Sequence, residues 1–198
     1  MAEIPNFPQR LMDEHARWHM SHMNRDVRPG DGISFLRFHR SFLRKALRWY
    51  KAQGLNLQRV TPWSRIPSAV KASPGWDSQL QEAEDRIVER MGSFKSSDEL
   101  GRFLLTSSLH DSIHVLGSEV YGDPDFGVIH RSPRSTLFYR WHGLIERWWR
   151  KYQQLNKSKK TQTKKTQTKK TQTKKTQTKK TAHRAVFLVC LAGSAHCH

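Results

Sequence analysis

No cysteine precedes Cys190, and the only other one, Cys197, is the penultimate residue. The body of the chain therefore has neither a disulfide framework nor a thiolate metal site. Acids are missing from the far end: residues 151–198 carry 13 Lys and Arg and no Asp or Glu, leaving 22 basic and 17 acidic residues before them. The pI of about 10.4 thus describes the tail more than the body. Long apolar runs are absent as well. The only one near a terminus, Ala185–Gly193, falls far short of the roughly 20 residues that a membrane span needs, so no membrane partner is expected. The start, MAEIPNFPQR, lacks the apolar stretch of a signal peptide, and the cytoplasm is the expected compartment.

What the chain does have is aromatic bulk and histidine. Its length fits one domain with a real core. All seven Trp and all but one of the nine Phe lie before residue 150, where they can build that core. From Lys159 the pentapeptide KKTQT repeats four times, through Thr178. Such a segment has no apolar face to bury and is expected to be disordered. The organisation read from composition is a folded domain at 1–156 and a Lys/Thr/Gln repeat tail at 157–198. The tail can meet phosphates non-specifically, but the body shows no recognition motif, so no specific nucleic-acid partner is expected.

Apolar spacing predicts an all-α bundle of about five helices. Gln9 to Met23 places Leu11, His15, Trp18/His19 and His22 on one stripe. Ile33 to Lys51 places Phe35/Leu36, His39, Phe42/Leu43, Ala46 and Tyr50 on one face and Arg37, Arg40, Arg44, Arg48 and Lys51 on a solvated one. Leu55 to Trp76, with Pro62, Pro67, Pro74 and Gly75, reads as an ordered connection with aromatic anchors. Asp77 to Met91 is an amphipathic cover without histidine. Ser96 and Glu99 form a capping box opening a helix with Phe103, Ser107, His110 and His114 on one face and Gly117 as its stop. Tyr121 to Arg134 is a Gly/Pro/Asp loop, and Thr136 to Gln153 is the last helix.

The histidines carry the functional signal. His110 and His114 stand four apart, as do His15 and His19. That spacing puts two imidazoles on one helical face, with Cβ atoms about 5–6 Å apart. Eight histidines scattered over 150 positions would give roughly 0.4 such pairs; here there are two. Each is followed by a third histidine in an apolar run, His142 and His39 respectively. The plan predicts two three-histidine metal sites brought together by four helices. His22, three residues after His19, is an alternative partner for it, and His130 reads as a loop residue without a ligand role. A nitrogen-only donor set suits copper and also zinc, iron or nickel, and two ions held close together can share a bridging ligand. HDSIH (110–114) also stands one carbon short of a zinc-hydrolase helix, with Asp111 as base.

Motifs along residues 14–150 resemble those of the type-3, binuclear copper proteins: tyrosinases, catechol oxidases and the arthropod haemocyanins and phenoloxidases. LFYRWHGLIERWW (137–149) is similar to the second copper motif of haemocyanins and phenoloxidases, LHDSIH (109–114) to its LHNxxH, and EHARWH (14–19) to the haemocyanin pair. SFLRFHRSFLRKAL (34–47) resembles the tyrosinase FLxWHRxYL run, and VTPWSRIP (60–67) a reduced PYWDW segment. The resemblance implies two copper ions, the first held by His15, His19 and His39, the second by His110, His114 and His142. It implies oxidation by dioxygen of phenolic small molecules: o-diphenols, with monophenols or o-aminophenols as further substrates, and with a copper-loading chaperone as a further partner. A non-catalytic dioxygen binder belongs to the same resemblance. Ser135-Thr136 stand where relatives often have Asp-Pro, and Asp111 stands where they usually carry Asn. Asp111 is therefore the candidate catalytic residue, either as the base that takes a monophenol proton or as the holder of a histidine ring nitrogen.

Overall fold

Helix α1, Gln9–Met23, turns one stripe inward: Leu11, Met12, His15, Ala16 and His19 are buried. Helix α2, Asp31–Ala52, buries Phe35, Leu36, His39, Phe42, Leu43, Ala46 and Tyr50, the face its sequence period marks out. Its first amides have no cap of their own. Asp98, 65 residues beyond Ile33, accepts from the backbone N–H of Gly30 at 3.0 Å and of Ile33 at 3.1 Å, which satisfies donors that every helix start leaves over. That contact requires close approach. A Cβ on Gly32 would lie 2.0 Å from the Asp98 carbonyl oxygen, so glycine is needed where the two backbones meet.

These observations come from a computed structural model that describes residues 3–23, 26–159, 161 and 162. The chain divides into two units, Met1–Gln153 and Gln154–His198. In the second unit the described residues, 154–159 and 161–162, are helical, so helical backbone passes the boundary expected at 156. Most of the repeats and the apolar run at Ala185–Gly193 lie outside the described residues.

The first unit is all-α among its described residues; its one β feature is an isolated bridge between Glu3 and Ser135. Among the described residues there are seven helices, two of them short or split pieces of the roughly five expected. The connection after α2 contains a 3-10 turn at Leu57–Val60 and the short α3, Ser68–Lys71. Val60, Trp63, Ile66 and Val70 anchor it in the core. Helix α4, Ser78–Val88, is capped by Asp77, which accepts from Leu80 N–H at 2.8 Å. It buries Leu80, Ala83 and Ile87, carries no histidine, and ends before Met91, which falls in a separate 3-10 turn. The capping box forms in part: Ser96 Oγ accepts from Glu99 N–H at 3.0 Å, but Glu99 reaches the amide of Lys95 rather than that of Ser96.

The single helix expected from Ser96 to Gly117 is two. Helix α5, Ser97–Thr106, stops at Ser107, and α6, Leu109–Tyr121, starts after Ser108, whose φ of 59° is left-handed. No glycine or proline marks this break, and periodicity runs through it. Gly117 does not stop α6, either. It lies inside the helix, where glycine is needed because a Cβ would meet the Phe126 ring at 2.6 Å, and the helix ends at Gly122, φ 61°. Helix α7 covers 136–153 of this unit and buries Trp141, His142, Trp148 and Trp149. On α2 the expected solvated face holds for Arg37, Arg44 and Arg48 but not for Arg40. Its guanidinium lies 3.4 Å from the Trp149 ring centroid and pairs with Glu146 at 2.8 Å, a stacked ion pair suited to arginine. Among the described residues no helix is long and apolar enough to cross a membrane.

Candidate metal centre

Four helices deliver six histidines to one buried place: His15 and His19 from α1, His39 from α2, His110 and His114 from α6, and His142 from α7. All six are buried, from 1% exposed for His142 to 9% for His114. Their rings touch across the helices. His39 stacks on His142 with centroids 4.5 Å apart, and His15 and His19 are 4.4 Å apart. His114 lies 4.9 Å from His110 and 5.1 Å from His142.

Five of the rings are held by Nδ1. His15 donates to the Ile129 carbonyl at 3.0 Å and His39 to that of Phe35 at 3.0 Å. His114 donates to Phe126 at 2.8 Å and His142 to Phe138 at 2.9 Å. His110 Nδ1 is 2.7 Å from Asp111 Oδ1. A carbonyl can only accept, so the proton sits on Nδ1 and a neutral ring presents the Nε2 lone pair to the interior. Burial is the main cause pushing the His19 and His114 pKa values down to about 3 and those of His15, His39 and His142 well below the ordinary range; neighbouring imidazoles add to it. These rings are neutral at pH 7, the form that binds metals.

The inward nitrogens have little to bond to. Nε2 of His15, His19 and His39 is buried without a hydrogen-bond partner, a costly state for a polar atom. His110 Nε2 and His142 Nε2 face each other at 3.1 Å. Two lone pairs at that distance need a proton or a cation between them. Two ligands of a tetrahedral ion at about 2.0–2.1 Å from the metal stand about 3.3 Å apart, so the spacing already suits a shared cation. Two triads have ligand nitrogens within 4.8 Å of one another: His15, His19, His39 and His39, His110, His142. The first is the triad the sequence predicts. The second contains His39 where the sequence places His114, so His39 stands between both halves and His114 lies one ring contact further out. The donor set is nitrogen alone, with Phe35, Phe42, Phe126 and Phe138 packed on the rings.

His22 is not part of this cluster. It stacks on Trp18 at 4.2 Å, and its Nδ1 meets the Trp18 carbonyl at 2.8 Å. His130 is exposed beside Asp13 and Gln9. The Asp111 side chain is 82% exposed, with Oδ1 engaged by His110; that hydrogen bond is the first cause holding its carboxyl below the usual range. Of the two roles expected for it, this geometry serves ring holding.

Sequence reasoning missed the carbonyls. Those of Phe126 and Ile129 belong to one loop, 122–131, which thereby orients a histidine in each half of the cluster. Buried Asp125 pins this loop by pairing with Arg131 at 3.1 Å and with Arg134. Buried Asp123 adds a second tie, accepting from Ser135 Oγ at 2.5 Å. The signal in the sequence was acids inside a Gly/Pro loop followed by two arginines, which reads equally as a solvated turn. No family model, curated protein or solved structure matches the chain.

Proposed function

We propose that this protein is a binuclear copper oxidase of phenolic small molecules, acting on o-diphenols and using dioxygen. The observation that carries the reading is the set of three buried, partnerless Nε2 atoms of His15, His19 and His39, completed across the cluster by the facing Nε2 atoms of His110 and His142. His15, His19 and His39 would hold one ion, and His110, His142 and His114 the other. Copper bound there would relay electrons from o-diphenols to dioxygen, so that two diphenols leave as two quinones and one dioxygen as two waters.

The chain's own residues prepare that chemistry. Backbone carbonyls fix the imidazoles by Nδ1, so the Nε2 lone pairs stay aimed without reorganisation. Burial keeps the rings unprotonated, and the phenylalanine wall keeps water from them. Asp111 holds His110 by Nδ1, which fixes its tautomer and ring orientation. An aspartate spent in this way is poorly placed to activate water, which weighs against a zinc hydrolase built on HDSIH. A di-iron carboxylate centre would need glutamates on the facing helices, but the buried acids are engaged elsewhere, Glu84 with Lys71, Asp123 with Ser135 and Asp125 with the loop arginines.

The test is metal analysis of the purified protein, catechol turnover, and an absorption spectrum of the reduced protein exposed to dioxygen. Two coppers per chain, an oxygen-dependent spectrum and quinone formation are expected. His142→Ala should leave at most one firmly bound copper and lower turnover at least about 100-fold, in line with the 10–100-fold cost typical of damaging even an outer metal partner. Full oxidase activity in that variant would overturn the assignment. One zinc per chain with hydrolytic activity would favour the hydrolase, and reversible dioxygen binding without turnover would favour a carrier.

A further inference from the structure

Away from the histidines, a groove of about 200 Å³ opens between α2, α7 and the connection after α2. Its floor is apolar: Leu43, Leu47, Val60 and Pro62. Its rim is cationic, with Arg44, Arg147 and Arg150 all exposed. The one acid in the lining, Glu146, lies between Arg40 and Arg150, which take its oxygens at 2.8 and 2.7 Å. Arg44 and Arg147 have no ion pair among the described residues, and Arg147 makes only a 3.3 Å hydrogen bond to the Trp63 carbonyl. Other exposed arginines of this unit, Arg37 and Arg48 among them, also stand without an acid among the described residues, and what sets Arg44 and Arg147 apart is that they border an apolar groove. The groove thus keeps two unpaired arginines, Arg44 and Arg147, on the rim of an apolar floor.

We infer that this groove docks an acidic peptide segment of a partner protein, seating one apolar side chain on the Leu43/Leu47/Val60 floor and its flanking carboxylates on Arg44 and Arg147. Size selects a peptide anchor over a whole small molecule. Ligand pockets for complete small molecules run to about 300–1,000 Å³, whereas this groove suits a single leucine or phenylalanine side chain. Charge selects the flanks, because like charges are rejected and carboxylates match the arginine fork. The same sign argument excludes the chain's own tail, which has no Asp or Glu. Nucleic acid offers phosphates and flat bases that stack on aromatic faces, whereas this floor is aliphatic, Leu43, Leu47, Val60 and Pro62. Arginines around a buried apolar contact are the usual composition of an interface centre. The inference is independent of the metal reading, since no histidine lines the groove.

The test uses the full chain in 0.15 M salt and a fluorescein-labelled peptide of Glu and Asp around a central Leu-Phe pair. A control peptide replaces Leu-Phe with Ser-Gly, which keeps any attraction to the Lys-rich tail and removes the anchor. The Leu-Phe peptide should bind at least about tenfold tighter than the control. Arg44→Glu and Leu47→Gln, checked for unchanged helix content, should each abolish most of that difference and leave control binding and metal content unchanged. Equal binding of both peptides, or a preference for an oligodeoxythymidylate competitor that Leu47→Gln does not alter, would overturn the proposal.

Discussion

A buried imidazole can serve the core or a metal, and the two roles predict opposite consequences when it is replaced. His39 hydrogen-bonds through Nδ1 and leaves Nε2 orphaned. In the metal-free protein that atom costs about 1–3 kcal/mol. His39→Leu should therefore leave the metal-free melting temperature unchanged or raise it, while removing bound copper. A melting temperature that falls by many degrees, with metal binding intact, would make His39 a structural histidine. Asp111 is tested by Asp111→Asn, which keeps the shape and removes the charge facing His110 Nδ1. Metal at the His110/His142 half should weaken about 10–100-fold, with the His15/His19/His39 half unchanged; titration of the reduced protein with Cu(I) resolves the two. A selective loss of monophenol hydroxylation at full copper occupancy would instead return Asp111 to the role of base.

At the scale of elements, loop 122–131 is the least expected part of the centre. The sequence marks it as a turn region, yet its Phe126 and Ile129 carbonyls orient His114 and His15. Asp125, 5% exposed, holds the loop through Arg131 and Arg134. Arg131 and Arg134 stay partly exposed, so losing the Asp125 charge leaves them solvated and costs about 1–3 kcal/mol, chiefly through the weakened buried hydrogen bonds. Asp125→Asn should lower stability by roughly that order and weaken copper binding in both halves together, unlike Asp111→Asn, which should affect one. Metal titration and denaturant unfolding of the two variants separate them, and an Asp125→Asn protein with unchanged copper affinity would show that the loop carbonyls are dispensable. The period of the helices was legible in the sequence because burial repeats every three or four residues. The break at Ser107–Ser108 was not, because the apolar period continues across it.

For the whole molecule, the buried histidines make metal-free stability a function of pH. His19 and His114 are pushed down to about 3, and His15, His39 and His142 well below the ordinary 6.5. Above 6.5 neither the folded nor the unfolded chain protonates them. As pH falls below 6.5 the unfolded chain takes up protons that the folded chain refuses, so stability is lost from about 6.5 down towards 3. Each histidine contributes up to about 1.4 kcal/mol per pH unit. Denaturant unfolding of metal-free protein should be flat above pH 6.5 and shift steeply between pH 6.5 and 4.5, and a flat profile there would mean that the cluster is open to water.

The sequence by itself determined the all-α class, the inward faces of α1, α2 and α4, the histidine pairs, and a composition that excludes thiolate chemistry before Cys190. All of these follow from periodicity and residue type, which are local. The tertiary structure decided what depends on contacts between distant segments. Examples are the Asp98 cap on α2, the position of Gly117 inside α6 against Phe126, the removal of Arg40 from the solvated face, and the place of His39 between the two histidine sets. It also decided that His22 leaves the cluster for Trp18 although it shares the stripe of His19. A helical period says which residues face the same way. Only packing says what they meet there, because one side chain's partners come from elements tens of residues away.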